Sequence, residues 1–423
     1  MLRNILLGAG VFAALFAVLI FSGKLPIGNK ASTPAGEVLL WGTIPESSMN
    51  GIIQAFNPQA KTYRVNYKEV REDVFVQTLV EALANGNPPD MILAPHQIIL
   101  SQIPRLYQFP ITSLSEKTFK DTYVDGATIF SDPTGAIALP VSIEPLVLFY
   151  NRTLFSKHGV VNPPSYWDEL AGIVPTLTIS NVKNQFVESG IALGAPNTPY
   201  AKDILMAIVN QLGQVPVLNK NVLANVPVTE GGDILPLSTA VRFFSQFADP
   251  TKSTYSWNQF AGNADDMFVA EKLAMYIGYS GELNSLRARN QKAEFEMTYF
   301  PQTKGYNTFT TGARIYGIAT LKTTKNPIAA LTAERDLASE GVSPSIAFAV
   351  GGVPVLRTYA SSAGLSDVVA RSMLVARGWY DSFPKESTLY VSTMLSDILN
   401  NRYGVTDAAE LFVSRLQDLY TPH

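Results

Sequence analysis

The residues best suited to chemistry are few in this sequence. It has three histidines (His96, His158 and the terminal His423) and no cysteine. No two histidines have metal-ligand spacing, and there is no H-E-x-x-H, so neither a zinc centre nor a thiol nucleophile is indicated. No phosphate-binding glycine loop is present. "GYSGE", Gly278 to Glu282, is one residue short of the G-x-S-x-G elbow. A Ser-His pair would have to use His96 or His158. His158 lies in "SKHGV" beside a helix-ending glycine, where a dipole-facing or exposed imidazole is the plainer reading. Two carboxylates can meet in any fold, so an acid-base pair stays open. The chemistry that remains is recognition. Trp41 ends a first apolar run, His96 and Gln97 follow a third, and Glu144 stands between Pro140 and Pro145. Tyr200, Trp257, Tyr276, Tyr279, Trp379 and Tyr390 are spread through the later half. Aromatic faces suit apolar ligand faces, including the C–H faces of sugars, while amides and carboxylates fix hydroxyls. Each aromatic taken singly is also an ordinary core residue. The residues expected at ligand are Trp41, His96, Gln97, Glu144, Tyr200, Trp257, Tyr279 and Tyr390.

The elements that must position them follow from patterning. "EVLLWG", "YRVNYKEV" and "PPDMILAP" read as strands, separated by helical patterns at Ser47 to Asn57 and Asp73 to Gly86. Ser47 or Ser48 is the expected cap of the first helix. The order predicts an α/β lobe with a largely parallel sheet, in which ligands collect beyond the carboxyl ends of strands. "AIALPVSIEPLVLFYN", Ala136 to Asn151, is long and extended but holds two prolines. It is expected to cross between lobes rather than to sit inside one sheet. After Pro163-Pro164, Ser165 is the expected cap of a helix, with Asp168 three residues on. Further helices are expected over 201–212, 237–248, 258–271, 367–381, 387–401 and 407–420, the last with Asp407 and Glu410 as a capping box. Strands are expected over 272–278, 295–301 and 313–320, and Ser345 to Leu356 reads as extended.

The chain has 423 residues, which suggests about two domains. Charged residues make up 16% and the net charge is -3, with no basic face to suit nucleic acid. Ile5 to Phe21 is apolar throughout, with Arg3 before it and Lys24 after it. At about 1.5 Å per residue that run nearly spans a hydrocarbon core. The residues before Ser22 make a poor signal-cleavage site, so an uncleaved anchor is favoured over a removed signal. Residues 22–36 then form a Gly-, Pro- and Ser-containing tether, with the bulk of the chain outside the membrane.

The segment "ALPVSIEPLVLFYNRTLFSKHGVVNPPSYWDEL" resembles a signature of bacterial extracellular solute-binding proteins that serve ABC importers, in the sugar-binding, maltose-binding-protein-like group. Leu139-Pro140, Tyr150-Asn151, Leu154-Phe155, Gly159, Pro163-Pro164 and Trp167-Asp168-Glu169-Leu170 stand in its places, with Tyr166 where threonine is usual. "NGNPPDMILAP", "FVAEKLAMYIGYSGEL" and "GGVPVL" resemble three further family segments in the right order, from Val38 to the carboxyl end. Glu271 replaces a common glycine, Ala94 stands where some sugar binders carry an aromatic, and the lipid-bearing cysteine is missing.

The resemblance implies an α/β, periplasmic-binding-protein-like clamshell of two lobes with a ligand cleft. One lobe would comprise residues 37–143 and 298–343, the other 144–297 and 344–423. It implies capture of a small solute, a sugar or oligosaccharide, by hinge closure and delivery to ABC permease subunits, with no cofactor and no catalysis. The anchor would replace the lipid and hold the binder at the outer face of the cytoplasmic membrane. A sensor or adhesion module on the same fold is the alternative; a carbohydrate-acting enzyme would need two facing carboxylates.

Overall fold

A computed structural model describes residues 36–110, 114–132, 134–182, 185–228, 234–306, 309–362 and 364–421. Among these, no helix is long and apolar enough to cross a membrane. The expected anchor at 5–21 and the tether before Gly36 lie outside the described residues. The chain forms two compact units. The first runs to Ser142 and resumes at Ile315–Val350 and Pro354–Thr358; the second holds Ile143–Arg314, Gly351–Val353 and the chain from Tyr359. Residues 143, 298–314, 344–350 and 354–358 thus fall in the other unit from the one the motifs suggest.

In the first unit, β1 (Glu37–Gly42), α1 (Glu46–Phe56), β2 (Arg64–Glu69), α2 (Phe75–Ala84), β3 (Met91–Pro95) and α3 (His96–Ser101) follow the expected alternation. β1 pairs in parallel with β2 and with β3. Every residue of β3 is buried, the mark of a strand covered on both faces. α2 ends as expected, with Gly86 at φ 73 just past it. β4 (Leu139–Asn151) is one continuous strand in spite of Pro140 and Pro145, buried except for half-buried Tyr150. It passes from the first unit to the second between Ser142 and Ile143.

The second unit adds α4 (Arg152–Lys157), α5 (Trp167–Leu177), β5 (Phe186–Ile191), α6 (Ala201–Gln211), β6 (Leu273–Tyr279), α7 (Glu282–Arg289) and β7 (Phe295–Tyr299). β4 pairs antiparallel with β6, Leu146 opposite Tyr279, and with β7, Val147 opposite Tyr299. β5 runs parallel to β6. The period of two shows in the packing. Leu146 and Leu148 enter one apolar cluster with Met275, Ile277 and Tyr279, while Val147 and Phe149 enter another with Tyr276, Trp257 and Phe268. β8 (Thr311–Thr320) returns the chain to the first unit after Arg314 and pairs antiparallel with β3, Tyr316 opposite Pro95. α8 (Pro327–Leu337) and α9 (Ser343–Val350) follow, and α10 (Pro384–Leu399) and α11 (Val405–Tyr420) close the second unit.

Several local expectations are corrected. Residues 345–350 are helical, not extended. Ser343, Pro344, Ile346 and Ala347 form the buried face and Phe348 is 55% exposed, so the apolar alternation belonged to a helix. α1 starts at Glu46 after Pro45, with Ser47 and Ser48 inside it. The acid that caps α5 is Glu169, whose Oε2 accepts from the Ser165 and Tyr166 N–H groups at 3.0 and 3.3 Å; Asp168 instead pairs with Lys304. α11 starts at Val405, which puts Asp407 in its first turn and removes the capping box. The helix expected over 258–271 is only Ala264–Val269, and that from Asp367 stops at Val375. His158 is neither exposed nor a simple dipole partner; its Nε2 lies 2.6 Å from Glu188 Oε2.

One buried acid gives the first unit a pH dependence. Glu334, on α8, is 1% exposed and accepts from Thr320 Oγ1 at 2.6 Å. Burial pushes its carboxyl up to about 8, although the Thr320 bond pulls the other way. The folded state therefore holds a proton that the unfolded chain releases near 4.5. Its contribution is fully present below about 4.5 and is lost as pH rises through about 8. Glu334→Gln is expected to remove that loss, so its urea midpoint should overtake the wild type's between pH 5 and 9. Parallel pH profiles for the two proteins would show that Glu334 does not bind this proton.

Candidate functional site

In the first unit, three expected residues stand at the carboxyl ends of β1 and β3. Trp41 is 4% exposed, with Lys68 Nζ 4.6 Å from its ring centroid and no hydrogen-bond partner among the described residues for its Nε1. His96 and Gln97 open α3, directly after β3. His96 is fully buried and its Nδ1 accepts from the Ile315 N–H at 3.2 Å, so it braces β8. Gln97 is half-buried.

In the second unit, Glu144, Tyr200 and Tyr279 come together. β4 carries Glu144 and β8 carries Arg314, whose Nε donates to Glu144 Oε2 at 2.7 Å. Tyr279 is the last residue of β6, and the Arg314 guanidinium carbon lies 4.6 Å from its ring centroid. Tyr200, at φ 53 immediately before α6, sets its ring edge-on to Tyr279 with centroids 4.8 Å apart. The Tyr279 hydroxyl donates to Asp203 Oδ2 at 3.0 Å, and Trp379 Nε1 donates to Asp203 Oδ1 at 3.3 Å. Burial pushes the Asp203 carboxyl up, while Lys202 and the Tyr279 hydroxyl draw it down. Glu282 opens α7, and its Oε1 accepts the Tyr279 N–H at 2.6 Å while the Tyr276 hydroxyl donates to Oε2. Burial raises its carboxyl too, against that tyrosine bond. Gly281 lets this turn close. A Cβ there would stand 2.2 Å from the Gly351 carbonyl oxygen and 2.8 Å from Glu144 Oε1.

Tyr279 is only 1% exposed and its ring lies against the guanidinium. The Arg314 side chain is 21% exposed, against 3% for Glu144. Arg314, rather than Tyr279, therefore offers the cluster's more accessible polar face. Trp257 is not brought to this group. It is fully buried in the cluster around Val147 and Phe149, with its Nε1 donating to Asn197 Oδ1 at 3.2 Å. Tyr390 sits half-buried on α10, beside Met394 and Phe412. Sequence reasoning missed Arg314, Asp203 and Glu282. Arg314 did leave a signal, as the one charged residue of the otherwise uncharged run Ala313 to Thr320. Among the described residues, no group of His, Asp and Glu side chains has the arrangement of a metal centre.

A family model for bacterial extracellular solute-binding proteins matches residues 51–332. The chain belongs to that family. Solved structures of other solute-binding proteins share its mixed α/β fold. The cyclic α-maltosyl-1,6-maltose binding protein of Arthrobacter globiformis superposes with a TM-score of 0.74 at 16% identity, covering 92% of this chain and 99% of that one. An ABC substrate-binding protein of Listeria monocytogenes, in complex with cycloalternan, gives 0.70 at 15% identity over 91% and 98% of the two chains. At such identities the likeness extends to the fold and not to the solute. A Brucella abortus chain named as a binding protein is 26% identical to this solute-binding protein over 158 residues, 36% of this chain. The match spans 38% of that relative's own length.

Proposed function

We propose that this protein captures a small solute, a sugar or oligosaccharide, outside the cytoplasmic membrane and delivers it to the permease subunits of an ABC importer. The observation that carries the reading is the Glu144–Arg314 pair set among Tyr200, Tyr279 and Trp379 in a chain of the solute-binding family. A guanidinium oriented by a buried carboxylate donates to hydroxyls, and the surrounding aromatic faces exclude water from those bonds. The named ligands of the fold relatives, cycloalternan and a cyclic maltosyl-maltose, support a carbohydrate. Trp41, Gln97, Tyr200 and Arg314 face the solute in this reading, with Glu144, His96 and Tyr279 holding them from behind. Capture works by closure of two lobes about a cleft, and the role is binding rather than catalysis. Residues 5–21 anchor the protein, so deleting them should move it from the membrane fraction to the soluble one.

A thermal-shift screen of the purified protein against sugars, oligosaccharides, amino acids and polyamines tests the proposal. A solute at a hundredfold excess over its Kd adds about 2.7 kcal/mol of stability. A rise in Tm with one sugar class, abolished by Arg314→Ala, is the expected result. A folded protein that responds to amino acids or polyamines and to no sugar would replace the solute class. One that responds to nothing would remove the capture reading.

A further inference from the structure

Among the described residues, Arg314 is the one guanidinium set against Tyr279 in the second unit, and its charge is already compensated. Arg314 lies over Tyr279, and its Nε donates to Glu144 at 2.7 Å. Glu144 is 2% exposed and sits behind Arg314, locked from its other side by the close approach of Gly281 and Gly351. Two more carboxyl groups stand one contact away: Glu282 accepts the Tyr279 N–H and Asp203 accepts the Tyr279 hydroxyl. Lys202, the neighbouring cation, is paired with Asp381 at 2.6 Å and also draws the Asp203 carboxyl down, but among the described residues it contacts neither Glu144 nor Glu282.

We infer that Glu144 acts as a charge filter. By neutralising Arg314 from behind, it makes the guanidinium a donor to uncharged hydroxyls and sets the site against solutes that carry a carboxylate. The inference rests on the capture reading above and narrows its solute class to neutral sugars, excluding uronates. The physical reason is competition. A solute carboxylate seeks a guanidinium whose charge Glu144 already engages through Nε, and it must enter a region where Glu144, Glu282 and Asp203 are its neighbours. A hydroxyl accepts the same N–H bond without bringing a second negative charge. Glu144 is then a positioning residue acting through Arg314, and Arg314 is the contact.

The test is calorimetric titration of the full chain with matched pairs: glucose and glucuronate, galactose and galacturonate, and the corresponding disaccharides. The wild type should bind the neutral member of at least one pair about tenfold or more tightly than the acidic member. Glu144→Gln keeps an acceptor for Arg314 Nε but removes the charge. It should reduce that preference by about tenfold, chiefly by tightening the uronate. A purely structural role for Glu144 would weaken both members equally and leave their ratio unchanged, which overturns the filter. Should the glutamine variant fail to fold, the wild-type ratio still decides: a uronate bound as tightly as its neutral partner overturns the filter and leaves sugar capture standing. A wild type that binds no member of any pair overturns the filter and sugar capture together.

Discussion

Asp381→Ala is expected to cost the second unit about 3–5 kcal/mol, the usual loss when one partner of a buried ion pair is removed. Asp381 is fully buried, and its Oδ2 lies 2.6 Å from Lys202 Nζ. That ammonium also donates to Ser387 Oγ at 3.1 Å and to the Pro384 carbonyl at 3.3 Å, and it sits 5.6 Å from the Trp379 ring centroid. The side chain of Lys202 is 9% exposed, so water cannot replace the lost carboxylate. The pair ties α6 to the first turn of α10. Truncating the aspartate leaves the ammonium in a dry site, and urea unfolding should show the whole cost. The double variant Asp381→Ala with Lys202→Met should recover most of it, because the stranded charge is what destabilises. A single-variant loss below about 1 kcal/mol would mean that solvent reaches the pair and screens it.

Gly281→Ala should damage both stability and solute binding. The added methyl would collide with the Gly351 carbonyl group, which is backbone and cannot swing away as a flexible side chain would. Overpacking of this kind costs about 1–3 kcal/mol. The same methyl would stand 2.8 Å from Glu144 Oε1, so relief must displace the carboxylate that orients Arg314. Affinity for the solute identified by thermal shift is expected to fall by about tenfold or more even where the variant remains folded. Gly51→Ala supplies the control, since it lies within α1 with nothing within 4 Å of its added Cβ. That substitution should gain about 0.5–1 kcal/mol from helix propensity and leave binding unchanged. Equal binding by the Gly281 variant and the wild type would show that the turn's closeness is not needed to hold Glu144.

What the sequence disclosed and what it hid divide on physical lines. β1, β2 and β3 were legible because each is a short apolar or alternating run bounded by turn residues. Glu144 was legible because a carboxylate inside a buried, proline-flanked strand needs a reason to be there. Its partner was not. Arg314 reaches it only because β8 returns the chain beside β4, a pairing that no local pattern encodes. Asp203 looked like an ordinary acid in a helix's first turn, and only the fold turns it toward Tyr279 and Trp379. Trp257 shows the converse. Its residue type suits a sugar platform, but the alternation of β4 that buries Val147 and Phe149 covers it as well. The helix at Ser343–Val350 escaped because small apolar residues fit either periodicity, and only burial separates the two.

The course of β8 also fixes an order of events. Its second half completes the first unit's sheet beside β3, yet Tyr316 is synthesised long after its partner Pro95. A nascent chain that has produced β1, β2 and β3 has no strand to cover that edge until the stretch from Ile143 to Arg314 has been made. Pairings so distant in sequence form slowly, because loop closure must come before any contact can reward it. The amino-terminal part therefore stays unfinished through most of synthesis.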